Sequence, residues 1–429
     1  MSRAWQASIA STPCRIAISA AGAIAWGASV AAEPTEQASA VAWLTPSLTY
    51  DGAAVAKLRG GARTGSTYVG NLHLKLSANG EARGLPGTSA FADVLTIYGG
   101  RPSLLVGDAQ GVSNTEGPRG TQIEELWVQH NFEASSVSLL AGIYDLNSEF
   151  YRLQAAGLFL NSSFGIGAEF AGSGVEGPSI FPRTSAGVRV AFKPADGVLI
   201  RTAVLNGVPV ARSDGSRRLF RRGDGVLVIS ELALLSRPAA TATADQGSGR
   251  DRIGRFSSLA AYENKLALGA WRYSARYADL SDTDANGQPL SRRGSSGFYA
   301  VAERLLWRND GSNKRVAAFA QAGSADARTN RFGSRFGAGI VGSGWHLINE
   351  GDQFGASVTR ATNGSHYTRS QAAQNIATDR SETTFELTLL TQVFKHLAVQ
   401  PDLQYVVRPG TNPGTPNAWV AQLRFEVAF

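Results

Sequence analysis

The sequence predicts an all-β protein, a transmembrane antiparallel β-barrel of about sixteen strands with one long loop folded into it. Three observations lead to this prediction. Apolar and polar residues alternate along segments that are separated by turns, as they do in membrane-spanning strands. The chain begins with the features of an export leader, and no later run is long and apolar enough for a spanning helix. Glycine is abundant, with 48 residues among 429, which is typical of a chain with many strands joined by turns.

The N-terminal segment, residues 1–32, is predicted to be a cleaved secretory signal peptide. Arg3 and Arg15 precede an apolar run, Ile16–Ala32, that ends in small residues. This order of basic, apolar and small residues is typical of export signals. A membrane anchor is the alternative, but the run is short for a spanning helix and rich in Ala and Gly.

Removal of this leader would leave a single domain. Residues 33–42 are expected to form a short lead-in, and residues 43–429 the barrel. The only cysteine, Cys14, lies in the leader, so the mature chain is expected to have no thiol chemistry. The remaining arginines are scattered along the chain. Because nucleic-acid binding needs basic residues gathered on one face, no nucleic-acid partner is predicted.

The alternation is clearest in the last strand. From Trp419 to Phe429 every second residue is apolar, while the alternate positions include the polar residues Gln422, Arg424 and Glu426. Tyr68–Leu76 and Phe385–Val393 alternate in the same way. A large soluble β-sandwich would also alternate, but the leader and the C-terminal Phe429 favour a membrane protein. Because lipid leaves no sheet edge unpaired, such a sheet must close on itself.

One long segment, Gly142–Thr184, interrupts the strands. It is rich in Gly, Asn, Ser and aromatic residues, which disfavours a long helix or a regular strand. Alternating strands flank it at Val137–Ile143 and Ala186–Phe192. Loops of this length in compact proteins are functional or disordered, and its aromatic residues argue against disorder. The segment is therefore predicted to fold into the barrel as a constriction.

The sequence holds no convincing catalytic or cofactor motif. Gly337–Gly342 fits the dinucleotide pattern G-x-G-x-x-G, but it lies inside a glycine-rich strand with no helix pattern after it. No G-x-S-x-G elbow is present. The five histidines lie far apart, without metal-ligand spacing. The expectation is a protein that is not an enzyme and that has no cofactor and no metal.

Several stretches also carry a family resemblance. YDLNSEFY (Tyr144–Tyr151), AGLFLNSSFGIG (Ala156–Gly167) and GPSIFP (Gly177–Pro182) lie in the long loop. GDAQGVSN (Gly107–Asn114) precedes it, and QPDLQYVVRPG (Gln400–Gly410) lies near the end. Together they resemble the signature of the carbohydrate-selective outer-membrane porins, the OprB-like family, over residues 43–429.

The resemblance implies a bacterial outer-membrane location and passive diffusion of mono- or small oligosaccharides through a water-filled channel. Sugars present hydroxyl groups and apolar C–H faces, so Arg, carboxylate and aromatic side chains should line the path. Two loop blocks and the inward faces of strands supply such groups. The candidate substrate-binding or pore-lining residues are Arg63, Asp108, Asn114, Glu116, Glu125, Trp127, Asp145, Asn147, Glu149, Arg152, Arg189 and Arg201.

Within this set, Asp145, Asn147 and Glu149 are expected to project into the channel opposite Arg189 and Arg201. For each residue, a role in loop packing is the alternative to solute contact. At the level of function, the alternatives are a general or structural barrel without sugar selectivity and an outer-membrane β-barrel enzyme. The expected partners are sugars and outer-membrane lipid. Monomer and trimer both remain open, as does the role of the polar connection 236–258.

Overall fold

The computed structural model describes residues 43–132, 136–210, 219–236, 262–309, 311–349 and 351–429. The predicted leader and lead-in, residues 1–42, lie outside the described residues, as does all of the connection 236–258 except its first residue. Among the residues that are described, no helix combines the length and the hydrophobicity needed to cross a bilayer.

The described residues form one closed antiparallel barrel of sixteen strands, which confirms the predicted fold class. Each strand pairs with its neighbours in sequence, and the first strand pairs with the last. The strands are β1 Leu44–Arg59, β2 Gly65–Asn79, β3 Thr88–Gly99, β4 Gly120–Phe132, β5 Val137–Tyr144, β6 Ser185–Ala195, β7 Val198–Asn206, β8 Val226–Ser236, β9 Asn264–Thr283, β10 Pro289–Arg308, β11 Arg315–Ala325, β12 Phe332–Trp345, β13 Asp352–Asn363, β14 Ser381–Phe394, β15 Leu397–Val407 and β16 Ala418–Ala428.

The two faces of the barrel follow the alternation of the sequence. On β2, Leu74 and Leu76 are exposed on the outer face, whereas Asn71, His73 and Lys75 are buried inside. This is the reverse of a soluble fold, because the apolar side chains point away from the interior. Such an arrangement is stable where the outer face contacts lipid.

The connections differ between the two ends of the barrel. Those that follow odd-numbered strands lie at one end and include three short helices, α1 Pro102–Val106, α2 Ala168–Ala171 and α3 Ser365–Ala373. Several connections at the other end are tight turns, such as the one between β6 and β7. Two long loops at the first end, residues 100–119 and 145–184, carry many of the buried side chains of the molecule.

The main apolar core lies inside the barrel, between the 145–184 loop and one part of the wall. Tyr151 packs against Tyr299 of β10, with ring centroids 4.3 Å apart. Phe170 stacks on Trp271 of β9 at 4.6 Å. Aromatic pairs of this kind contribute beyond the area that they bury. The aromatic residues of the loop therefore fix it against the β9–β11 side of the barrel.

Candidate functional site: the constricted lumen

Glutamates on the barrel wall bind the backbone of the 145–184 loop. Glu231 of β8 accepts a hydrogen bond from the Tyr151 amide at 2.9 Å, and Glu303 of β10 accepts one from the Ala155 amide at 3.0 Å. Glu386 of β14 accepts from the amides of Leu160 and Asn161. A buried loop must satisfy its backbone polar groups, and these carboxylates do so while setting the position of the loop.

The 100–119 loop is held in the same way, by another glutamate of β14. Glu382 accepts hydrogen bonds from the amides of Ala109 and Gln110 at 2.8 and 3.0 Å. Asp108, beside them, accepts from the Gly111 amide at 2.7 Å. Burial, and next the negative charge of Glu382, raise the pKa of Asp108 to about 8. Asp108 thus belongs to the anchorage of this loop.

A buried ion pair joins the start of the 145–184 loop to β6. The Arg189 guanidinium contacts both carboxylate oxygens of Glu149, at 2.9 and 3.1 Å. Tyr144 donates to the same carboxylate at 2.7 Å, and Arg201 donates to the Glu149 carbonyl oxygen at 2.7 Å. All four side chains are almost completely inaccessible to solvent.

This geometry corrects one expectation from the sequence. Glu149 was expected to face Arg189 and Arg201 across an open channel, but it touches Arg189 directly and is 3% exposed. The loop contacts the wall at this point. The two charge-assisted hydrogen bonds from one guanidinium stabilise a carboxylate that is withdrawn from water. Glu149, Arg189 and Arg201 therefore hold the constriction in place and do not border open space.

A cavity of about 380 Å³ lies between the two loops and the β2–β4 wall. Among the sequence candidates, the structure brings Asn114, Glu116, Glu125, Asp145, Asn147 and Arg152 to its surface. Amide, carboxylate and guanidinium groups thus converge on one space, together with aromatic side chains such as Phe91. Such a surface offers hydrogen-bond donors and acceptors as well as apolar contact.

Three further lining residues, Lys75, Asp93 and Glu124, were not predicted from the sequence. A β-bulge explains Glu124: Glu125 pairs with Asp93 and Ile123 pairs with Val94, so Glu124 is the extra residue of β4. As a result two consecutive carboxylates point inward.

The remaining candidates lie away from the cavity surface. Arg63 is exposed in the turn between β1 and β2. Trp127 is 2% exposed, packs on Phe91 with ring centroids 5.5 Å apart, and donates its indole N–H to Glu125 at 3.0 Å. Trp127 thus supports two lining residues.

The strands also assemble groups that sequence spacing does not reveal. His73 Nδ1 lies 3.0 Å from Asp93 and 3.3 Å from Glu124, on three adjacent strands. A second group, Asp279, Asp282 and His366, has a similar composition, and Arg292 contacts both of its aspartates. The expectation of no metal rested on spacing along the chain, which carries no information about groups assembled from different strands.

A closed sixteen-stranded antiparallel barrel whose lumen is narrowed by inward loops defines the class of the protein: it is an outer-membrane porin. The model of the carbohydrate-selective porin, OprB family, matches residues 63–429. The chain belongs to this family, which confirms the resemblance drawn from the loop motifs.

Comparison with solved structures supports the same fold. The high-pH structure of OprB from Pseudomonas putida is 18% identical, with a TM-score of 0.75, and the match covers 90% of this chain and 94% of that one. The low-pH structure of the same protein gives 14% identity and a TM-score of 0.52, with coverage of 90% and 92%. The outer-membrane channel DcaP of Acinetobacter baumannii is 9% identical, with a TM-score of 0.51, and the match covers 90% of this chain and 97% of that one. A comparison with curated protein sequences found no match.

Proposed function

We propose that the protein lets carbohydrates diffuse passively across the bacterial outer membrane. One observation carries this proposal: the cavity between the loops and the β2–β4 wall combines carboxylate, amide and guanidinium groups with aromatic surface. Its volume of about 380 Å³ lies at the lower end of the range for small-molecule sites, roughly 300–1,000 Å³. The family match supports sugars as the solutes.

The geometry suggests how a sugar would pass. A solute that enters a narrow path loses part of its hydration shell and needs replacement hydrogen bonds. Arg152 and Asn147 on the loop, with Glu125 on the wall, can donate to and accept from ring hydroxyls. Contacts of this kind must stay weak enough for release, which suits a channel without a catalytic step.

Sugar flux into proteoliposomes tests this function. We expect glucose to enter faster than short polyethylene glycols of matching size, because the polymers present few hydroxyl donors. Replacement of Arg152 by Ala should raise small-ion conductance and weaken the block of that conductance by added sugar. Arg369→Ala is the matched control, since Arg369 lies on α3 with its side chain 60% exposed. A general pore would instead sort solutes by size alone, and a structural barrel would pass none of them.

Export is the remaining part of the proposal. The basic residues Arg3 and Arg15 before the apolar run support cleavage by a signal peptidase after Ala31 or Ala32. N-terminal sequencing of protein from outer membranes should begin at Ala32 or Glu33. Recovery of chains that still carry Met1 would show that the segment is retained.

A further inference from the structure

The cavity carries the opposite charge to the chain as a whole. The full sequence has a net charge of +7, yet five acidic side chains line the cavity and only two basic ones do. The acids on the wall are Asp93, Glu124 and Glu125, and the two bases are Lys75 and Arg152. A narrow space with low-dielectric walls concentrates the field of such groups.

The β-bulge in β4 creates part of this excess. Ile123 and Leu126 are 47% and 49% exposed on the outer face, and both residues between them are buried on the inner face. Strict alternation over these four positions would turn only one of the two glutamates inward. Bulges redirect side chains in this way and are frequent near functional sites. Here the extra residue doubles the inward charge of the strand.

Nearby cations offset only part of the acidic charge. Arg101 binds Glu116 at 3.2 Å, so Glu116 adds little to the field in the cavity. His73 contacts both Asp93 and Glu124, and even a protonated imidazole supplies one charge for two carboxylates. Arg101, a protonated His73, Lys75 and Arg152 together supply four positive charges against the five carboxylates that line the cavity, so one negative charge is in excess among these groups, and two when His73 is neutral.

We propose that the bulged pair Glu124 and Glu125 makes the channel prefer cations, and that its solutes include sugars that carry an ammonium group. This inference rests on the proposed sugar passage for its choice of solute. An ammonium group forms charge-assisted hydrogen bonds with carboxylates, while the rest of an amino sugar meets the same groups as a neutral sugar. The preference is a property of the wall, since both residues lie on β4.

Two measurements on the wild-type protein test the inference. In a salt gradient across a planar bilayer, the reversal potential should have the sign of a cation-selective pore. In proteoliposomes, glucosamine should enter severalfold faster than glucose at a pH at which its amino group is protonated. Glu124→Gln/Glu125→Gln should move the reversal potential toward zero and bring the two fluxes together. Glutamine at position 125 can still accept the hydrogen bond from Trp127, and both replacements keep the size of the side chain, so the fold should persist.

The control removes two charges elsewhere. Glu81→Gln/Glu263→Gln alters one residue in the connection between β2 and β3 and one residue just before β9. Neither residue lines the cavity, so this variant should change neither measurement. An anion-selective reversal potential, or glucose flux equal to glucosamine flux in the wild type, overturns the inference while leaving neutral sugar passage intact. Failure of glucose to enter at all instead contradicts the proposed function. The two proposals are therefore tested separately.

Discussion

Replacement of Arg189 by Met should destabilise the barrel by about 3–5 kcal/mol, the usual cost of removing one partner of a buried ion pair. Arg189 is fully buried and holds Glu149 through two contacts, and it also donates to Gln129 and Ser138. Without it, the Glu149 carboxylate stays withdrawn from water and loses its two guanidinium contacts, while it keeps the hydrogen bond from Tyr144. The free energy of unfolding, measured by urea titration in lipid vesicles, gives this loss.

The same substitution should also change the pore, because the pair joins the 145–184 loop to β6. A loop released at this point should give larger and noisier single-channel conductance. The double variant Arg189→Met/Glu149→Leu should recover much of the lost stability, since neither charge of the pair is then left buried without its partner. Arg328→Met is the control: Arg328 pairs with Asp326 on an exposed turn, where an ion pair contributes about 0–1 kcal/mol. Strictly additive effects of the two single changes would contradict a coupled pair.

The fold could be predicted because its main signal is local. A strand with lipid on one side and polar groups on the other repeats every two residues, so β2, β14 and β16 could be read directly from the sequence. The long loop was also visible, because its residues fit neither a strand nor a long helix. Its path through the barrel was harder to predict. Glu231, Glu303 and Glu386 lie on separate strands, and only closure of the barrel brings them to the loop backbone.

The candidate site could be predicted only in part, for a related reason. Residue type indicates that Glu149 and Asp145 are both polar loop residues, but tertiary contacts bury the former against Arg189 and leave the latter at the cavity. The inward position of Glu124 could also have been predicted from the sequence. Ile123 and Leu126 are both apolar and an odd number of positions apart, which breaks the two-residue period and indicates a bulge.

A cation on the outer face should be almost as damaging as loss of the buried ion pair. Leu387 lies midway along β14 and is 57% exposed on the outer face, so Leu387→Arg places a charge near the centre of the bilayer. The expected cost is about 2–4 kcal/mol. Sugar flux and ion selectivity of the folded fraction should be unchanged, because the lumen is not altered. Unfolding in vesicles and loss of heat resistance on gels would measure the effect.

Depth in the membrane provides the matched control on the same strand. Phe394 is the last residue of β14 and is 69% exposed, so Phe394→Arg puts the same charge near the interface, where the expected cost is about 0–1 kcal/mol. A second control, Leu387→Phe, keeps an apolar side chain at the central position. Equal damage from Leu387→Arg and Phe394→Arg would mean that the outer face of β14 does not contact lipid as the alternation indicates. A large difference between them would locate Leu387 near the bilayer midplane, since side-chain charge is the same in both variants.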